Sequence, residues 1–148
     1  AMFRFLKGLS LQICHVHAYL PPDFVLWPYL NDRPSEMNII LRTMIRIVDL
    51  ELLNGLKINA PDMRVGIKIS DKQASWNNGV FEMCMKDGEL CFSRSDSYDL
   101  ECDIATLSSV VGGKSDFREM IEFGRVKATN SYSGQDLPKT TPFVLQHF

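Results

Sequence analysis

The chain has 148 residues, 45% of them hydrophobic and 23% charged, with 16 Lys and Arg against 18 Asp and Glu for a net charge of −2. That length and apolar mass suit one ordinary domain, or one domain with a piece of another, around a real core. The scattered, nearly balanced charge speaks against nucleic acid or an anionic membrane as partner, and no apolar run reaches the roughly 18–20 residues that span a bilayer.

The start, FRFLKGL (3–9), reads as the end of a helix with Gly8 near its C-cap, and Arg4 and Lys7 break the apolar stretch that a signal peptide needs. LQICHVHAYL (11–20) reads as a strand stopped by Pro21 and Pro22, after which Asp23 caps a short helix limited by Pro28. After the loop 31–36, the apolar run from Met37 to Val48 is β-rich and predicts a long strand. Asp49 then caps a short helix with Leu50, Leu52 and Leu53 as its apolar face, and Asn54-Gly55 ends it.

MRVGIKIS (63–70) is a strand with Val65, Ile67 and Ile69 alternating. The next two alternating runs flank Asp87-Gly88, a favoured two-residue hairpin loop because both residues tolerate positive φ. That loop fixes the register. Lys86 faces Glu89, Met85 faces Leu90, Cys84 faces Cys91 and Met83 faces Phe92, so Phe81, Met83, Met85, Leu90 and Phe92 share the core face. In YDLECDI (98–104), Leu100, Cys102 and Ile104 point one way and Asp99, Glu101 and Asp103 the other. ATLSSVV is a short helix ended by Gly112-Gly113. Ser115 and Asp116 start a second, closed by Gly124, with Phe117, Met120, Ile121 and Phe123 as its apolar positions. RVKATN is a last short strand, and a polar loop leads to the apolar end TPFVLQHF (141–148).

Several stretches invite a chemical reading and carry a plainer one. Gly113-Lys114-Ser115 resembles a phosphate loop, but Ser108 stands where the first Gly belongs and a helix, not a strand, precedes it. A helix-to-helix linker is the expectation. Asp99, Glu101 and Asp103 can hold a hard cation, yet they fit the wet face of a sheet paired with Arg or Lys from a neighbouring strand. His15 and His17 share a strand face without a third ligand, so no metal site is expected. Cys14, Cys84, Cys91 and Cys102 form no C-x-x-C pair. The expectation is reduced thiols in a cytoplasmic protein, with Cys84 and Cys91 unbonded although opposed. Composition and pattern together specify a soluble α+β domain.

Two sets of residues go further. Residues 98–130, with Asp99-Leu100-Glu101, Gly113 and Gly124-Arg125-Val126, resemble sterol-carrier-protein-type domains. Met44, Arg46, Val48 and Asp49, with Asp71, Trp76, Asn77 and Gly79 and a chain ending in Phe, look like the C-terminal region of acetyltransferases of the enhanced intracellular survival protein family, in the GNAT superfamily. The resemblance implies an α+β, sterol-carrier-like domain over 44–148, a mostly antiparallel sheet with helices packed on one face, preceded over 1–43 by the end of a second GNAT-like domain.

The GNAT acetyl-CoA loop, [QR]-x-x-G-x-[GA], occurs nowhere in the chain. This part of such an enzyme therefore carries no cofactor site, and acetyl-CoA belongs to the upstream GNAT domains of the intact protein. The resemblance also implies an amine acceptor, an aminoglycoside or another polycation, and a homo-oligomer when intact. It places one catalytic group here, the C-terminal carboxylate of Phe148, as base or anchor for the amine. A second expectation from the sterol-carrier likeness is a lipid tunnel lined by Phe81, Met83, Met85 and Phe92.

Overall fold

A computed structural model describes residues 44–140, together with Leu20, Phe24, Val25 and Pro28. The expectations for 3–43, other than at those four positions, and for 141–148 lie outside the described residues. That covers the helix end, the His15–His17 strand, the Asp23-capped helix and Phe148. Residues 44–140 fall within one unit, Met44–Pro142.

Among the described residues six strands form one sheet: β1 (Leu56–Lys57), β2 (Met63–Ser70), β3 (Gly79–Lys86), β4 (Glu89–Arg94), β5 (Leu100–Asp103) and β6 (Lys127–Ala128). Their spatial order is β1-β4-β3-β2-β5-β6, and every neighbouring pair is antiparallel except β2 with β5. Two helices, α1 (Ile104–Val111) and α2 (Phe117–Glu122), follow β5. The architecture is α+β.

The hairpin has the register that its loop dictates. Asp87 and Gly88 both take positive φ, 53° and 76°. Lys86 pairs with Glu89, Met85 with Leu90, Cys84 with Cys91 and Met83 with Phe92. Phe81, Met83, Met85, Leu90 and Phe92 are all buried, and they meet Met63, Val65, Ile67 and Ile69 of β2 and Leu100 and Cys102 of β5. Leu107 and Val110 of α1 and Phe117 of α2 close this core from the helical side. On the opposite sheet face Arg64 pairs with Glu82, and Lys68 and Lys127 flank Glu101.

β2 carries Gly66 in mid-strand because the chain entering β5 crosses there. A Cβ at Gly66 would lie 2.8 Å from both Ser97 O and Tyr98 Cα. The contact is closed by Asp99 N–H donating to Gly66 O at 2.8 Å and Gly66 N–H donating to Asp99 Oδ2 at 3.1 Å.

Two expectations need correction. Met44–Val48 forms no strand, because side chains rather than a neighbouring strand take its backbone groups. Phe123 is 68% exposed, whereas Phe117 is buried and Met120 and Ile121 pack against the core. α2 is short, and six positions beyond Phe117 a helix has turned past its inward side.

A candidate functional site: a polar knot beside an apolar groove

The residues matched at long range in the sequence come together at one end of the sheet. β2 ends at Ser70, and the next residue, Asp71, is buried. Its Oδ1 accepts from Gln73 N–H at 2.9 Å and Ala74 N–H at 3.1 Å, so the carboxylate shapes its own following turn. One nitrogen of Arg46, Nη2, donates to both carboxylate oxygens at 2.7 and 2.9 Å. Asn77 Nδ2 donates to Oδ2 at 3.1 Å.

Asn77 is buried, and it holds the strap 44–50 as well as the carboxylate. Its Nδ2 donates to Val48 O at 2.9 Å, and its Oδ1 accepts from Leu50 N–H at 3.2 Å. Trp76 Nε1 donates to the same Val48 carbonyl at 2.9 Å. Asn78 ties the loop back to β2, accepting from Asp71 N–H and donating to Asp71 O. Arg94 of β4 then donates to Asn78 O at 2.8 Å and Trp76 O at 3.2 Å. Its guanidinium lies 4.2 Å from the Phe81 ring centre and fills the space a Cβ at Gly79 would need. From the helical side, Ile47 N–H donates to Ser108 Oγ at 2.9 Å, and the Ser108 hydroxyl in turn donates to Ile104 O at 2.6 Å.

Burial of Asp71 opposes its ionisation, but the bonds from Asn77, Gln73, Ala74 and Arg46 outweigh it and hold the carboxyl well below the usual aspartate range. A carboxylate with its acceptor positions filled and so low a proton affinity is a poor proton carrier near neutral pH. Its chemistry is positional: it holds a segment that has no strand to pair with.

That segment walls a groove of about 300 Å³, lined chiefly by Ile45, Val48, Leu52, Leu56, Val111 and Gly112. A 3-10 turn, Glu51–Leu53, gives the groove Leu52, which is 80% exposed. Asp49, expected to cap a helix here, does not: the cap position is instead Leu50, without a side-chain cap, and Asp49 accepts from Glu51 N–H at 2.9 Å just before the turn. Asn54 ends it and clamps the edge of β4, accepting from Phe92 N–H at 2.6 Å, while Gly55 N–H donates to Leu90 O at 2.9 Å. Phe81, Met83, Met85 and Phe92 lie in the packed core, and none of them lines this groove.

The other sequence candidates have structural partners. The amides of Gly113, Lys114 and Ser115 donate to Val110 O and Ser109 O at the end of α1, so the phosphate-loop resemblance is a helix-to-helix linker whose N–H groups are already used. The three carboxylates of 99–103 do separate work. Asp99 fastens β2 and Ser131, Glu101 pairs with Lys68, and Asp103 caps α1 through Thr106 N–H at 2.7 Å. Among the described residues, no three His, Cys, Asp or Glu side chains gather to hold a metal ion.

Cys84 and Cys91, expected to be unbonded, form a disulfide; the hairpin register places their Cα atoms 5.2 Å apart, within normal disulfide reach. Cys102 stays free and buried. Desolvation, with Asp103 and Glu101 adding to it, pushes its thiol up to about 12, which leaves it unreactive. Among the described residues, no helix is long and apolar enough to cross a membrane. Phe148 lies outside the described residues.

The sequence reading missed the roles of Ser108, Asn78 and Arg94, and the bond of Asn54 to β4. Ser108 had a readable signal: it stands four positions after Ile104 on the face that Leu107 shares, a polar residue where a helix turns toward the core.

No curated protein matches the chain. Among solved structures it is similar to Eis1 from Mycobacterium abscessus, at 21% identity over 70% of this chain and 27% of that one, with a TM-score of 0.53. It is also similar to a GCN5-related N-acetyltransferase from Anabaena variabilis (22% identity, 58% of this chain and 23% of that one, TM-score 0.49). A further match is a probable N-acyltransferase from Enterococcus faecalis (16% identity, 67% and 28%, TM-score 0.47). The chain thus spans only about a quarter of the length of each of these structures. At such identities the likeness is one of fold. A family model described as a sterol carrier protein domain matches residues 50–143, from the groove turn through both helices. With the hairpin, the parallel β2–β5 contact and the two following helices in place, the chain belongs to the sterol carrier protein domain family.

Proposed function

We propose that this chain is the C-terminal part of a GNAT-superfamily N-acetyltransferase of the enhanced intracellular survival type, which moves acetyl from acetyl-CoA to an amine such as an aminoglycoside or another polycation. The observation that carries the reading is the fold likeness to Eis1, of whose chain this one covers 27%. The meeting of Arg46, Val48, Asp71, Trp76 and Asn77 in one knot adds support, because these family-matched residues lie far apart in the sequence.

In this reading residues 1–43 end a second GNAT-like domain and 44–148 form the sterol-carrier-like domain. Acetyl-CoA binds upstream, and the intact protein is a cytoplasmic homo-oligomer. The knot and sheet serve as scaffold, and the α-carboxylate of Phe148 accepts or holds the proton of the attacking amine. Nucleophilic attack on a thioester requires a free amine lone pair, so a placed carboxylate acts on the step itself.

The test uses the intact enzyme with its upstream domains. Deleting Phe148 should lower kcat about 100-fold or more, the scale of a lost acid–base group, while the melting temperature stays unchanged. Unaltered turnover in the truncated enzyme sinks the proposal.

A further inference from the structure

Cys91 sits between the two β4 residues that hold the groove turn. Leu90 O receives Gly55 N–H, and Phe92 is clamped by Asn54. Across the hairpin Cys91 faces Cys84, and both residues are half-buried, on the sheet side away from the core. The disulfide closes a ring across only seven positions of chain. A ring this short restricts the unfolded chain less than a longer one would, and the paired core residues Met83–Phe92 and Met85–Leu90 hold the hairpin on either side of it. Proximity in the fold favours forming the bond, and partial exposure leaves it open to a small thiol.

We propose that Cys84 and Cys91 form a reversible redox staple that sets how firmly β4 holds the 54–56 turn at the groove. The oxidant is a low-molecular-weight disulfide such as oxidised glutathione. One cysteine thiolate attacks it and forms a mixed disulfide, releasing one glutathione thiolate. The second cysteine attacks the protein sulfur of that mixed disulfide, closing Cys84–Cys91 and releasing the second glutathione. The two protein thiols lose two electrons and two protons, and one glutathione disulfide becomes two thiols. Excess reduced glutathione runs the same steps backward.

The full 148-residue chain carrying Cys14→Ser is equilibrated in glutathione buffers of increasing oxidation, quenched in acid and alkylated. The expected result is a single reversible step from three alkylated cysteines, 84, 91 and 102, to Cys102 alone, with Cys84→Ser instead taking one glutathione at Cys91. Hydrogen exchange on the two end states should show Gly55 and Phe92 amides several-fold slower in the disulfide form, with β2 and β5 unchanged. Full alkylation at high oxidised glutathione overturns the proposal. So does a bond that survives excess reductant, or equal exchange at Gly55 and Phe92 in both states.

Discussion

The β2–β4 sheet and the 44–50 strap are built on opposite logics. In the sheet, backbone pairs with backbone, and alternation of apolar residues decides which face is buried. In the strap, Ile47, Val48 and Leu50 meet Ser108, Trp76 and Asn77 side chains instead of another strand. A ladder spreads its stability over many equivalent bonds. A knot concentrates it on a few polar side chains, each serving several partners, so loss of one leaves several buried groups unmet.

The largest expected loss comes from the sheet. Met83 is fully buried, and Met83→Ala should cost about 3–4 kcal/mol in urea unfolding, as a lost side chain plus a cavity. Asn77→Ala should follow at about 2–3 kcal/mol, since Leu50 N–H and part of Asp71 lose their partner. If Asn77→Ala proves neutral, the strap is not held by the knot. The knot should also respond to acid where the sheet core does not. Asp71 is depressed in the fold, so its contribution is complete above the ordinary value of 3.8 and is lost as pH falls below that toward the native value. Urea midpoints of Asp71→Asn should therefore fall less steeply than wild type below pH 4. The smallest effect belongs to Trp76→Phe, under about 1 kcal/mol, because Trp76 is 57% exposed and Val48 O keeps its bond from Asn77.

The same contrast governs what was legible. Asp87-Gly88 fixed a register that carried Cys84 opposite Cys91, and alternation named five buried hairpin residues. Asp116 caps its helix as the sequence implied, whereas Asp49 stops short of the cap position and Asp103, read as part of a wet sheet face, turns out to cap α1. The β-rich pattern of 44–48 predicted a strand, but propensity describes a preference for extended backbone and not the identity of the partner. Phe123 failed for a related reason, since a helix ending at Glu122 is too short for its stripe to continue. Asn54 and Arg94 gave no usable long-range signal because their partners lie far away in the chain.

By itself the sequence determined the elements whose causes are local: the hairpin and its register, the buried face of each strand, the Asp116 cap, and an α+β composition without a surplus of basic charge. Only the tertiary structure decided that β5 runs parallel beside β2 through the gap at Gly66, and that Arg46, Asp71 and Asn77 meet. It also decided that Cys84 and Cys91 are bonded. Periodicity and turn chemistry act over a few residues and leave a readable pattern. A buried carboxylate chooses its partners by proximity in the folded chain, and separation along the sequence carries no trace of that choice.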